Sequence, residues 1–153
     1  MHEVQNTDNA HVRQLGLKDY DRLLALWQQA GLHSLKPQGR DSRDSLDQQL
    51  ASGVQTIQGL EVDGQLVGAV VATHDSRKGW INRLAIHPDH RRRGYGARLI
   101  AAAEGALRDQ GMHVIAALVE SDNPASLALF RKVGYVEIDT GIHYLTKRDS
   151  DAV

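Results

Sequence analysis

The residues of this chain best spaced to do chemistry are Arg91-Arg92-Arg93-Gly94-Tyr95-Gly96. Glycine lets a backbone turn tightly and approach a ligand, because no Cβ stands in the way. A helix beginning there leaves its first four N–H groups without intrahelical partners and carries a partial positive charge. Arginines beside such a start add charge and forked donors. The combination is an anion site, and pyrophosphate is the anion it suits. The plainer reading is a glycine-punctuated loop with a solvated basic run, and six residues alone do not choose between the two. Two familiar phosphate loops fit poorly. Gly96 is followed by Ala97-Arg98 where a Walker loop needs Lys-Ser/Thr, and Leu99 stands where a dinucleotide fingerprint needs its third glycine.

Such a cradle needs a strand before it and a helix after it. The apolar run Trp80 to Ile86, stopped by Pro88, reads as the strand. Gly96, Leu99, Ile100, Ala103 and Leu107 form one apolar stripe, closed by Gly111 as helix cap. Upstream, His11 to Leu15 reads as a strand, Tyr20 to Ala30 as a helix and Ser45 to Ala51 as a second helix. His33 to Arg43, with Pro37 and Gly39, is the loop between them. Val54 to Val62 and Gln65 to Thr73 are strands joined by the two-residue turn Asp63-Gly64, and His74 to Gly79 is a further turn. Downstream, Val114 to Val119 suits a buried strand, and Pro124 opens a helix that Gly134 ends. Tyr135 to Ile138 and Ile142 to Thr146 read as a final antiparallel pair. The order predicts an α/β protein of the α+β type. Its sheet is mixed, mostly antiparallel and six- to seven-stranded, flanked by about four helices, with one parallel step across the helix after the glycine loop.

A length of 153 residues predicts one domain spanning 1–153, with 1–9 and 148–153 frayed. The apolar and charged fractions, 41% and 24%, are those of an ordinary globular protein. A net charge of −1 and the lack of interleaved aromatics count against nucleic acid as partner, which makes the arginine cluster a local feature. Without cysteine there is no disulfide, no thiolate nucleophile and no zinc-finger site. No run approaches the ~20 apolar residues of a membrane span, so a soluble cytoplasmic protein without a membrane partner is the expectation. His87 and His90 superficially suggest a metal pair, but no third ligand is spaced to join them, and no metal is expected.

The order of elements, with its motifs at these places, resembles the GNAT superfamily of acetyl-CoA-dependent N-acetyltransferases. One carrying stretch is His87-Pro88-Asp89-His90 followed by Arg91-x-x-Gly94-x-Gly96. The other is Asn123-Pro124-Ala125-Ser126, then Leu129-Phe130, then Gly134-Tyr135. The likeness runs from about Val54 to Tyr135. It implies that the strands Trp80 to Ile86 and Val114 to Val119 splay apart at the centre of the sheet. The arm of acetyl-CoA, the implied acetyl donor, would lie in that gap. Leu84, Ala85 and Ile86 would then bind through main chain, since unpaired backbone groups in a gap need partners. By the same likeness Arg91, Arg92, Arg93, Gly94, Tyr95, Gly96 and Ala97 surround the pyrophosphate, and Asn123 and Phe130 lie along the cofactor arm. Many relatives pair, so a homodimer is an open expectation.

Acetyl transfer needs an amine that loses its proton, a donor for the oxyanion and a thiolate that leaves. A strand N–H such as that of Ile86 serves the oxyanion. Many relatives protonate the thiolate with a tyrosine where Phe130 stands here, and Phe130 has no proton to give. Three readings stay open: the thiolate leaves unassisted or through water, Ser126 or Tyr144 substitutes, or catalysis is weak or absent. For the base, Asn82 could hold a relaying water, and His74, Asp75 and Glu120 are alternatives at strand ends. The acceptor is expected to be a small-molecule amine held by Arg40 and Asp41 in the loop Gly39 to Asp44, with Asp75 and Glu120 as further contacts. The dull alternative for that loop is a solvated segment with a helix cap at Ser42 or Asp44. The rival functions are a protein N-terminal or lysine acetyltransferase and a non-catalytic acyl-CoA sensor, which Phe130 favours.

Overall fold

A computed structural model describes residues 9–138 and 141–150. The chain lays down β1 (Ala10–Gln14), α1 (Tyr20–Gln29), α2 (Arg43–Ala51), β2 (Gln55–Val62), β3 (Gln65–His74), β4 (Gly79–Ile86), α3 (Tyr95–Asp109), β5 (Ile115–Ala117) and α4 (Pro124–Lys132). The strands form one sheet in the order β1-β2-β3-β4-β5. The first three pairings are antiparallel, and β5 joins β4 in parallel across α3. The Asp63-Gly64 turn has positive φ at both residues, 50° and 80°, which suits the twist of the β2–β3 hairpin. Ser42 caps α2 by accepting the N–H of Ser45 at 3.1 Å.

Two apolar clusters sandwich the sheet. On one face Leu99, Ile100, Ala103 and Leu107 of α3 and Phe130 of α4 pack on Val67, Val70 and Ile81. On the other, Leu23, Leu26 and Trp27 of α1 and Leu46 of α2 pack on Ile57, Ala69, Val71 and Ala85. Helices on both faces explain why β3 reads as a nearly unbroken apolar run.

The sheet has five strands among the described residues, not the six or seven expected. Tyr135 to Ile138 and Ile142 to Thr146 do not pair as strands, and 139–140 between them lie outside the described residues. Their side chains lack a face to bury: Val136 is 86% exposed and Leu145 88%. The strand expected over Val114 to Val119 is confined to Ile115–Ala117, because pairing with β4 stops there. Of the ends expected to fray, 1–8 and 151–153 lie outside the described residues. No helix of the described residues is long and apolar enough to cross a membrane.

Candidate active site

The centre of the site is an irregularity in β4. Its pairing with β3 runs Ala69 to Ala85 and then Val71 to Asn82, so β4 carries one extra residue there. Arg83 takes up the bulge with φ of 51°. The insertion changes which face side chains reach. Ile81 packs on the α3 side, and beyond the bulge Leu84 and Ile86 do so while Ala85 joins the α1 cluster. Pairing with β5 ends at Ile81 and Ala117, five residues short of the end of β4. The two central strands therefore part where the sequence expected a splay. The main chain of Leu84 and Ile86 faces the side of β5 without a ladder partner there, whereas Ala85, expected to bind in the same way, pairs with Ala69 of β3.

The arginine–glycine loop closes one end of this gap. After the 3-10 turn Pro88–His90, Arg92 (φ 63°) and Gly94 (φ 79°) turn the chain so that Gly94 is the N-cap of α3. Among the described residues no side chain caps that helix, so its first turn can offer N–H groups to an outside acceptor. The two glycines do different work. A Cβ on Gly94 would meet no heavy atom within 4 Å, so the space beside it is open. A Cβ on Gly96 would come within 2.5 Å of Leu129 Cδ2, so Gly96 lets α4 lie against the start of α3.

The arginines divide similarly. Arg91 Nε donates to the carbonyl of Ile86 at 3.3 Å and its Nη2 to that of Ala30 at 3.4 Å, bracing the loop against β4 and the end of α1. Arg92 and Arg93 are exposed and make no hydrogen bond or ion pair with the described residues. Tyr95 is buried in the core, so only its main chain reaches the loop, and Ala97 is half-buried. The donors, the charge and the open space beside Gly94 fit a pyrophosphate.

The α1–α2 loop is fastened to the bulge itself. Asp41 is buried, and its carboxylate accepts from both terminal nitrogens of Arg83, the Nη2 bond being 3.0 Å. It also accepts the main-chain N–H of Lys36 at 2.8 Å, and the Tyr20 hydroxyl donates to the Asp41 carbonyl at 2.7 Å. Burial, with the charge of Asp41, pushes the Tyr20 hydroxyl up from its ordinary value. The Arg83 guanidinium lies 5.0 Å over the Trp27 ring. Arg40 turns back to the carbonyl of Ser34 at 2.9 Å. The loop is thus folded on itself and fastened to the bulge.

Asn82 is half-buried and, next to inward Ile81, sits on the α1–α2 face beside this clasp. Asn123 caps α4, accepting the N–H of Ser126 at 3.2 Å, and Ser126 is half-buried in the first turn. Phe130 is buried edge-on to Tyr135 at 5.0 Å. The remaining candidates are not gathered in. Asp75 accepts the N–H groups of Arg77 and Lys78 in an exposed turn, which holds its carboxyl below its usual value. Glu120 is exposed, and Tyr144 is 76% exposed. Arg83 was missed by reading the sequence. Two adjacent polar residues, Asn82-Arg83, interrupt an apolar strand, and that break in pattern is the trace a bulge leaves.

The sequence pattern of the acetyltransferase (GNAT) family matches residues 20–135. An acetyltransferase of Yersinia pestis (strain Pestoides F) is 30% identical over 122 residues, covering 80% of this chain and 84% of the relative. One of Yersinia enterocolitica is 29% identical over 129 residues, covering 84% and 89%. Among solved structures, the aminoglycoside N-acetyltransferase AAC(6')-Iy in complex with CoA superposes with a TM-score of 0.73 at 16% identity, over 95% of this chain and 100% of that one. PaiA N-acetyltransferase from Thermoplasma acidophilum, in complex with coenzyme A, gives 0.74 at 18% identity, over 87% and 93%. At those identities the structural likeness speaks for the fold.

Proposed function

The chain belongs to the acetyltransferase (GNAT) family, and we propose that its acceptor is the primary amine of a small molecule. Acetyl-CoA is the donor in this reading and supplies the thioester that the amine attacks. The observation that carries it is that β4 continues five residues past its last pairing with β5 and then runs into a helix start that no side chain among the described residues caps, with two unengaged arginines beside it. Arg92, Arg93 and the N–H groups at Gly94 to Ala97 hold the pyrophosphate, with Arg91 bracing them. The main chain at Leu84 and Ile86 meets the arm, with Ala85 held in the β3–β4 ladder between them, and Asn123 lies near it.

As the amine nitrogen bonds to the acetyl carbon, an N–H of the unpaired stretch, that of Ile86, receives the charge developing on oxygen. Asn82 holds the water that takes the proton from nitrogen. The C–S bond then breaks with the electron pair going to sulfur. Phe130 supplies no proton, and none is required of it, because a thiol of pKa near ~8.5 is a tolerable anion at neutral pH. Of the two hydroxyl substitutes Ser126 is the stronger, half-buried in the first turn of α4 where Tyr144 stands in solvent. Arg40 and the Asp41–Arg83 pair shape the acceptor end, and that pair acts by holding the loop.

A small acceptor is supported by a loop that closes on itself through Asp41, Lys36 and Arg40 rather than lying open as a peptide groove. Turnover assays with neamine, spermidine, free amino acids and a set of amino-terminal peptides test the reading. Acetylation of one or more small amines is expected. Acetylation of peptides alone would overturn it, and tight CoA binding without turnover on any amine would favour the sensor.

A further inference from the structure

A second cleft, of about 440 Å³, lies where α3 crosses the sheet beside β1 and β2. Along α3 the residues Arg98, Ala102, Gly105 and Asp109 recur at three- and four-residue spacing, which puts them on one face of the helix. Arg98 fastens that face to β1, its Nη2 donating to the Ala10 carbonyl at 3.1 Å. Beyond Arg98 come Ala102, Gly105 and Ala106, whose short side chains leave space between helix and strands. A Cβ on Gly105 would meet nothing within 4 Å. Ile57 packs into the cluster under α1 and Leu60 into the one under α3, so Gln58 and its ladder partner Gln14 point to the α3 face. Thr56 shares that face, and Asp109 and Gln110 close the cleft from the end of α3.

Five polar side chains therefore line the space: Gln14, Thr56, Gln58, Asp109 and Gln110. None of the five makes a hydrogen bond or ion pair with the described residues. For those at the rim, water suffices. Gln58 is different, because it is only 9% exposed and a carboxamide so far from water costs free energy unless it is bonded. An aliphatic residue at that position would carry no such cost. The unengaged amide is the mark of a ligand's partner. Carboxamides and a hydroxyl both donate and accept, which is what the hydroxyls of a ligand require. The one charge on the lining is Asp109, at the helix end where the backbone dipole also favours a cation. Its neighbour Arg108 turns away to Glu104 at 3.8 Å. The side-chain-free surface at Gly105 gives a ring flat ground, and the volume is that of a small-molecule site.

We propose that the cleft between α3 and β1–β2 binds an amino sugar, its ammonium group at Asp109 and its hydroxyls on Gln58, Gln14 and Thr56. The cleft shares no residue with the opening beyond the β4 bulge and lies toward the opposite end of α3 from Gly94, so the proposal stands apart from the acetyl-transfer reading.

Glucosamine is titrated into the isotope-labelled full chain at about pH 6, where its amine is charged, with backbone and side-chain amide signals followed by NMR. Glucose and N-acetylglucosamine are the uncharged controls. The expected result is saturable shifts centred on the Gln58 and Gln14 carboxamides and the amides of Gly105 to Gln110. Glucosamine should bind about threefold tighter than either control. Gln58→Leu suits the apolar surroundings of β2 and is expected to weaken glucosamine about tenfold. Asp109→Asn, at an exposed position, should erase the preference for glucosamine over glucose. Should Gln58→Leu fail to fold, Asp109→Asn decides alone. The proposal is overturned by the lack of saturable shifts, by shifts confined to Leu84 to Ala97 or the α1–α2 loop, or by either variant binding as the native chain does. Glucosamine binding that saturating CoA abolishes would overturn it too.

Discussion

Gly94 and Gly96, two residues apart, fail in different ways when given a side chain. At Gly94 the φ of 79° strains any L residue by about 1–2 kcal/mol, and the added atoms enter open space where a phosphate oxygen would lie. Gly94→Val is therefore expected to keep its fold while CoA affinity falls at least about a hundredfold, roughly 2.7 kcal/mol, as read by calorimetry and thermal unfolding together. At Gly96 the backbone is an ordinary helix and the conflict is with Leu129. Gly96→Ala is expected to destabilise by about 1–3 kcal/mol, and adding Leu129→Ala should recover much of that in a denaturant titration. Asp41 fails differently again. Asp41→Asn leaves Arg83, 18% exposed, with half its partner, at a cost of about 2–3 kcal/mol. In the proposed reading it should raise KM for the acceptor more than the Kd for CoA, since Asp41 itself lies in the α1–α2 loop assigned to the acceptor. An equal loss in both constants would mean a general collapse of the site.

At the scale of elements, one network holds β1, the start of α1 and β2 together. The buried Asp19 carboxylate accepts from Arg13 at 2.7 and 3.1 Å, from Arg22 at 2.6 Å and from the Gly16 N–H at 2.9 Å. Arg13 also reaches Glu61 at 2.8 Å. These donors, Arg13 first, hold the Asp19 carboxyl far below its ordinary value. The sign follows from linkage. A depressed folded-state pKa gives stability that is complete above the unfolded value near ~3.9, starts to be lost below it and is gone once pH has fallen through the folded value. Urea midpoints should therefore drop as pH is lowered from 6 toward 3, and Asp19→Asn, weaker throughout, should flatten that dependence. The elements themselves were legible where a local signal was strong. The Asp63-Gly64 turn, the Ser42 cap, the apolar stripe of α3 and Pro124 at the start of α4 each mark a boundary by chemistry the neighbouring residues do not share. The bulge at Arg83 was not legible, because the partner that its side chain finds there, Asp41, is 42 residues away in sequence. The arm after Tyr135 misled for a related reason. Alternation specifies a strand's faces but not which edge receives it.

For the whole molecule, the proposed function rests on β4 outrunning its pairing with β5 and on the glycine loop that follows it. The sandwich of helices keeps β3 and the first half of β4 rigid, so the bulge can release the second half from β5 without loosening the core. The glycine loop was readable as a turn opening α3, and as a candidate anion site, because both need short-range features only: two glycines, neighbouring arginines and a helix start. The acceptor end was readable only as a charged loop, since its order depends on tertiary pairing between Asp41 and Arg83. The central claim, that this opening takes acetyl-CoA with its pyrophosphate at Gly94, is tested most directly by calorimetric titration of the native chain and Gly94→Val with acetyl-CoA, CoA and a longer acyl-CoA. The account predicts one site per chain in the micromolar range that discriminates among acyl groups, and its loss in the folded variant. Absence of binding to the folded native chain, or undiminished affinity in Gly94→Val, would contradict it.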